Sequence, residues 1–184
     1  MDIENNLQGL FFQTFYVSKE ESNCPLIADI LRLSKKLQNI NNASISHRYG
    51  KRVLINNSDI KPEKTKKEDF LEIVDYNPFK KTIMVMGKNK PAKDAPLHWF
   101  IINYREEINA VVLIKDKGYM QKFEDKIPIA EKNLPIWSIE KIKEIMKLLS
   151  DNKKIYLKNS GVLYVGKSLK EIEDIVSNDI EGAK

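Results

Sequence analysis

The chain has 184 residues, 42% of them hydrophobic and 31% charged, which is enough for one globular domain over residues 1–184 and too little for two. A single cysteine, Cys24, excludes an internal disulfide, and the two histidines, His47 and His98, are too few for a Cys/His zinc module. The longest uncharged apolar runs, 99–102 and 110–114, fall far short of the roughly 20 residues that span a bilayer, and no basic segment leading into an apolar stretch opens the sequence, so no membrane and a cytoplasmic location are expected.

Residues 1–21 admit two readings, because Leu10, Phe11, Phe12, Phe15 and Tyr16 form either one face of a short helix or an extra strand. Ser22 and Pro25 stand where a cap and first turn belong, and Leu26, Ile27, Ile30, Leu33 and Leu37 recur at helical spacing to about Asn39. Alternation then predicts strands over 44–48 and 52–55, joined as a hairpin at Tyr49-Gly50. The polar stretch 56–67 reads as a loop in which Thr65 and Glu68 form a capping pair ahead of a strand at 70–74. A strand follows at 82–86, and beyond a loop at 87–93 Leu97, Phe100, Ile101 and Tyr104 mark a helix entered through Pro96. The unbroken Ala110-Val111-Val112-Leu113-Ile114 run predicts a strand covered on both faces and therefore central in its sheet. Past Pro128 and Pro135, Ser138 caps a helix whose apolar stripe is Ile139, Ile142, Met146 and Leu149. Short strands at 155–157 and 162–165 flank an Asn159-Ser160-Gly161 turn. Ser168 and Glu171 then form a capping box for a last helix through Ile172, Ile175 and Val176, with a frayed tail from Asn178. Helices interspersed with hairpin-connected strands predict an α/β fold, a three-layer α/β/α sandwich with a mixed, largely antiparallel central sheet.

Six short strings punctuate this order: Asn41-Asn42-Ala43-Ser44, Leu54-Ile55-Asn56-Asn57-Ser58-Asp59, Thr65 to Phe70, Pro91-Ala92-Lys93-Asp94-Ala95-Pro96-Leu97-His98, Asn109-Ala110-Val111-Val112, and Asn159-Ser160-Gly161. Together they resemble the class II aldolase/adducin family, which includes fuculose- and rhamnulose-phosphate aldolases and adducin heads; the likeness covers about Pro25 to Val176. It implies a class II aldolase-like fold and, for the family, a zinc ion held by three histidines. Two of those belong to a His-x-His that follows Asn-Ala-Val-Val and one to an Asn-His-Gly turn. In this chain Leu113, Lys115 and Ser160 stand at the three positions. The resemblance further implies that Asp94 replaces the family's proton-handling Glu, and that the two phosphate-holding serines before it have become Ala92 and Lys93. Family members commonly form tetramers with sites at subunit boundaries, so a homo-oligomer, up to a tetramer, is implied as well.

Zinc needs imidazole, thiolate or carboxylate donors; leucine has none and lysine brings a positive charge, so no metal is expected, and His98 reads as a hydrogen-bonded packing residue. An ammonium at Lys115 is a physical substitute for the missing cation if it pairs with Asp94; the alternative is that Lys115 reaches solvent from its strand end. Asn42, Ser44, Ser58, Lys93 and Ser160 are candidates for holding a small anionic ligand, against the alternative that such residues satisfy the backbone of their own turns. The expected function is a metal-free pseudoenzyme that binds a small anionic metabolite or a protein partner. Its rival is an aldehyde-lyase or isomerase acting on phosphorylated sugars with Asp94 as base. A nucleic-acid module, suggested by the net charge of +5, is disfavoured because four of the 31 cationic residues are Arg and the lysines are dispersed among acids.

Overall fold

The computed structural model describes residues 12–57, 61–136 and 138–181. In chain order the elements are β1 (Gln13–Ser18), α1 (Ile27–Lys36), β2 (Ala43–Tyr49), β3 (Arg52–Asn56), β4 (Phe70–Asn77), β5 (Thr82–Met86), α2 (Ala95–Tyr104), β6 (Ala110–Ile114), α3 (Lys117–Met120), β7 (Ile129–Ala130), α4 (Ile139–Leu148), β8 (Lys154–Leu157), β9 (Gly161–Gly166) and α5 (Leu169–Glu181). Among the described residues nine strands form one open sheet in the order β1-β5-β4-β3-β2-β6-β9-β8-β7. The pairs β1–β5 and β7–β8 are parallel and the other pairs antiparallel, so the sheet is mixed and largely antiparallel.

Period-two alternation divides the strand side chains between two cores. Val111 and Leu113 of β6 join Val53, Ile73, Leu163 and Val165 beneath α2 and α4. Ala110, Val112 and Ile114 face the opposite way, into the layer made by α1, α3 and α5 with Ile45, Leu54 and Tyr164. Helices thus cover both faces of the sheet, and all five residues of β6 are buried, as their apolar run requires.

Several sequence expectations need correction. Ser22 does not cap α1: its hydroxyl donates to Glu72 Oε1 at 2.5 Å, because that buried carboxylate, also held by Arg52, needs donors. The reciprocal bond expected of Thr65 and Glu68 forms one residue later, with the Lys66 amide donating to Asp69 Oδ2 at 2.7 Å across a single 3-10 turn. Ile139 is exposed and Ile145 takes its place in the buried stripe of α4. The C-terminal helix is ordered as far as Glu181, since Asp179 accepts from the Tyr164 hydroxyl at 2.8 Å and pairs with Lys154. Phe15 and Tyr16 belong to the extra strand rather than a helix, with Phe12 just before it, while Leu10 and Phe11 lie outside the described residues. No helix among the described residues is long and apolar enough to cross a membrane.

Candidate functional site

The antiparallel register of β2 and β6 sets Ser44 beside Leu113 and Ser46 beside Val111, so both serines point to the α2 side of the sheet. One residue past β6, Lys115 continues the ladder, its amide donating to Asn42 O at 2.9 Å. The first turn of α2 lies above these strands, with Asp94 at its N-cap position and His98 one turn on. Three separated segments therefore converge at one end of the sheet.

Lys115 Nζ donates to Asp94 Oδ2 at 2.9 Å; the lysine side chain is 22% exposed and the aspartate 3%. Asp94 Oδ2 also accepts from the Ser44 hydroxyl. His98 Nε2 lies 3.0 Å from Ser44 Oγ, and its Nδ1 lies 2.7 Å from Ser46 Oγ. Because the Ser44 proton is given to the carboxylate, Ser44 Oγ must accept from His98, which assigns the Nε2–H tautomer and leaves Nδ1 to accept from Ser46. The result is a directed chain of donors, Ser46 to His98 to Ser44 to Asp94, ending on the acceptor that holds Lys115. Asp94 Oδ1 and Asn42 Oδ1 are buried with no hydrogen-bond partner among the described residues.

Burial by itself raises the Asp94 carboxyl, but the adjacent Lys115 ammonium, with hydrogen bonds from Ser44 and Lys115, outweighs it and holds the group at about 2. Its place at the α2 N-terminus favours the anion too. Burial, with some help from Lys115, depresses His98 to about 4 against the pull of Asp94, so the imidazole is neutral at pH 7. The 3.8 Å approach of His98 Nε2 to Asp94 Oδ2 is then no ion pair, and the charge facing Asp94 is that of Lys115.

The other sequence candidates are placed as follows. Ser160 closes its own turn, its amide donating to Leu157 O at 2.9 Å and its hydroxyl directed to Lys158 O at 3.4 Å. Gly161, next in that turn, has φ +155°, and a Cβ there would lie 2.5 Å from Ile114 O, so the turn abuts the end of β6 beside Lys115. Lys93 is exposed in the loop before α2, and Ser58 lies outside the described residues. Ser46 and His98 are participants that sequence reasoning did not assign; the signal available was the Ser44/Ser46 alternation together with the i, i+4 spacing of Asp94 and His98.

A family zinc ion does not fit these residues. Leu113 is packed in the apolar core, Lys115 presents a cation already bound to Asp94, and the Ser160 hydroxyl is directed to its own turn. Both nitrogens of His98 are engaged by serines, and among the described residues no three His, Cys, Asp or Glu side chains converge.

Comparison with known proteins gives a consistent picture. An L-fuculose 1-phosphate aldolase superposes with a TM-score of 0.69 at 16% identity, over 88% of this chain and 84% of that one. The L-fuculose-1-phosphate aldolase of Thermus thermophilus gives 0.63 at 15% identity, over 85% and 89% of the two chains. The N-terminal class II aldolase domain of a conserved protein from Thermoplasma acidophilum gives 0.60 at 13%, over 91% and 97%. At such identities the likeness speaks for the fold alone. Comparison with curated protein sequences gives no match. Residues 30–116, from within α1 to two residues past β6 and so including Ser44, Asp94, His98 and Lys115, match the class II aldolase and adducin N-terminal domain in sequence, and the fold of the chain is that of the class II aldolases.

Proposed function

We propose that this protein is a metal-independent member of its family that binds a small anionic metabolite without aldol cleavage, the ammonium of Lys115 supplying the positive charge that zinc supplies elsewhere. The observation that carries this reading is the Asp94–Lys115 pair, 2.9 Å apart, with the carboxylate buried and the lysine side chain partly exposed. An ammonium fixed from behind by a buried carboxylate keeps its remaining protons for an oxyanion in front of it. Proton abstraction by Asp94 is disfavoured, because a carboxyl held at about 2 and already accepting from Lys115 and Ser44 is a weak base at neutral pH. The named activity of structural relatives, L-fuculose 1-phosphate cleavage, supplies the test substrate. Protein purified in the presence of zinc is expected to hold less than stoichiometric metal, to leave L-fuculose 1-phosphate uncleaved, and to bind it more weakly when Lys115 becomes Met. Stoichiometric zinc, or turnover abolished by Asp94→Asn, would replace this reading with that of an active lyase.

A further inference from the structure

On the face of the sheet away from α2, the end of α1, the short helix α3 and the last turn of α5 leave a cleft of about 420 Å³ between them. Its apolar wall is made by Leu37 and Ile40, just past α1, Tyr119 of α3 and Ile180 of α5. The Tyr119 hydroxyl lies 2.6 Å from that of Tyr164, which donates in turn to Asp179 Oδ2 at 2.8 Å. The Tyr119 proton is therefore spent on Tyr164, and the ring is what remains to meet a ligand. Asp116, at the rim, is equally committed: Oδ2 accepts from the Asn41 amide at 3.1 Å and from its side chain at 2.7 Å, and Oδ1 accepts from the Tyr119 amide at 3.0 Å. Of the two lysines lining the cleft, Lys36 is bound to Glu173. Lys122 is exposed, its ammonium 6.0 Å from the centre of the Tyr119 ring, and it has no acidic partner among the described residues. The charge left unanswered at the rim is thus a single positive one, above an apolar wall.

We propose that this cleft binds a small carboxylic acid with an apolar body, such as a medium-chain fatty acid, its carboxylate on Lys122 and its body along Leu37, Ile40, the Tyr119 ring and Ile180. A cleft of this size, apolar on its walls with one charged group to fix orientation, has the make-up of a small-molecule site. The class of ligand follows from which groups are already engaged. A neutral polar molecule finds the Tyr119 hydroxyl and the Asp116 carboxylate taken, and a cation opposes Lys122, whereas an anion with an apolar tail meets both the free charge and the wall. The Asp94–Lys115 pair lies under α2 on the other face of the sheet, so this site stands independently of the function proposed above.

NMR titration with octanoate, octanol and octylammonium presents one tail under three head groups. Octanoate is expected to bind saturably, shifting the methyl resonances of Leu37, Ile40 and Ile180 and the ring resonances of Tyr119. It should bind about threefold to fivefold more tightly than octanol, the worth of one solvated ion pair, with octylammonium weakest. Lys122→Glu, a change at an exposed position, is expected to keep the fold and reverse that order, octylammonium binding best. Lys115→Met, and a chain lacking residues 182–184, are each expected to bind octanoate as the wild type does. The absence of saturable shifts at those residues overturns the proposal, as does octanol binding as tightly as octanoate or an order unchanged in Lys122→Glu. Octanoate binding lost in Lys115→Met would move the ligand to the Asp94–Lys115 site, and a rise in affinity on deleting residues 182–184 would make that segment the occupant; either result also overturns it.

Discussion

Replacing Lys115 by Met keeps most of the side-chain stem and deletes the ammonium, leaving the buried Asp94 carboxylate without its counter-charge. At a separation of 2.9 Å and an effective dielectric constant near 20, the lost attraction is about 6 kcal/mol. The surviving Ser44 bond, and water entering the space left by a lysine side chain that was already partly exposed, offset part of this. A net loss of about 3 kcal/mol follows, at the low end for breaking a buried pair from one side. For a chain of this length that is roughly 6–12 °C in Tm. The pH dependence tests the same reasoning by its sign. In the wild-type protein the folded Asp94 pKa, about 2, lies below the ordinary 3.8, so its contribution is fully present above about pH 4 and is lost as pH falls towards 2. In Lys115→Met burial dominates and raises the folded pKa above the unfolded value, so stability relative to wild type improves as pH falls. The assay is urea denaturation of wild type, Lys115→Met and Lys115→Met/Asp94→Asn between pH 3 and 7. The double variant, relieved of the isolated charge, is expected to be more stable than the single variant at pH 7. A Lys115→Met penalty below about 0.5 kcal/mol, or a single variant with the wild-type pH slope, refutes the buried ion pair as an energetic unit.

Other consequences are open to measurement. His98 is held neutral to about pH 4 while the unfolded chain takes up its proton near 6.5, so folding should lose about 3 kcal/mol between those values; His98→Gln should flatten that part of the stability–pH curve while lowering stability at pH 7. Gly161→Ala forces a Cβ against Ile114 O at 2.5 Å and Leu113 Cδ1 at 2.8 Å at a φ of +155°, and should cost about 3 kcal/mol by chemical denaturation, with perturbed Leu113 methyl resonances. Lys141, fully buried, donates to Ala130 O and Lys132 O at 2.7 Å each and pairs with Glu144, whose carboxylate receives the amides of Glu131 and Lys132. Lys141→Met should therefore lower stability by about 2–4 kcal/mol and speed proteolysis within residues 125–136, detected by mass spectrometry of a limited digest.

Elements with a strong period were legible in the amino-acid order, and those fixed by distant partners were not. The central place of β6 followed from five consecutive apolar residues, and the β2–β3 hairpin from alternation around Tyr49-Gly50. The segment around β1 was ambiguous because adjacent aromatics serve a helix face and a strand equally well; pairing with β5, far along the chain, decides it. α3 and β7 are too short to display a period. Ser22 carried the signature of a cap, yet a buried carboxylate fifty residues away claims its hydroxyl. At the site, the charge argument alone brought Lys115 to Asp94, since a cation placed where histidines are expected needs an anion near it. The part played by Ser46 and His98 depended on strand register and helix placement together, and neither can be read from spacing alone. Lys141 carried no signal of its own in the sequence, because the carbonyls that bind it lie on β7 and just after it.

The sheet order also bears on how the molecule assembles. The strands β2, β3, β4 and β5 pair with chain neighbours, which close short loops, and β8 and β9 form a hairpin of their own. These two bodies are joined through β6, whose partners β2 and β9 are both remote from it in the chain, so this junction carries a large loop-closure entropy and should zip late. Ser44, Asp94 and Lys115 come from opposite sides of that junction, and their network cannot exist until it has closed. Such contacts leave the folding rate almost untouched and slow unfolding instead, so the charge cluster acts as a latch on the lifetime of the native state.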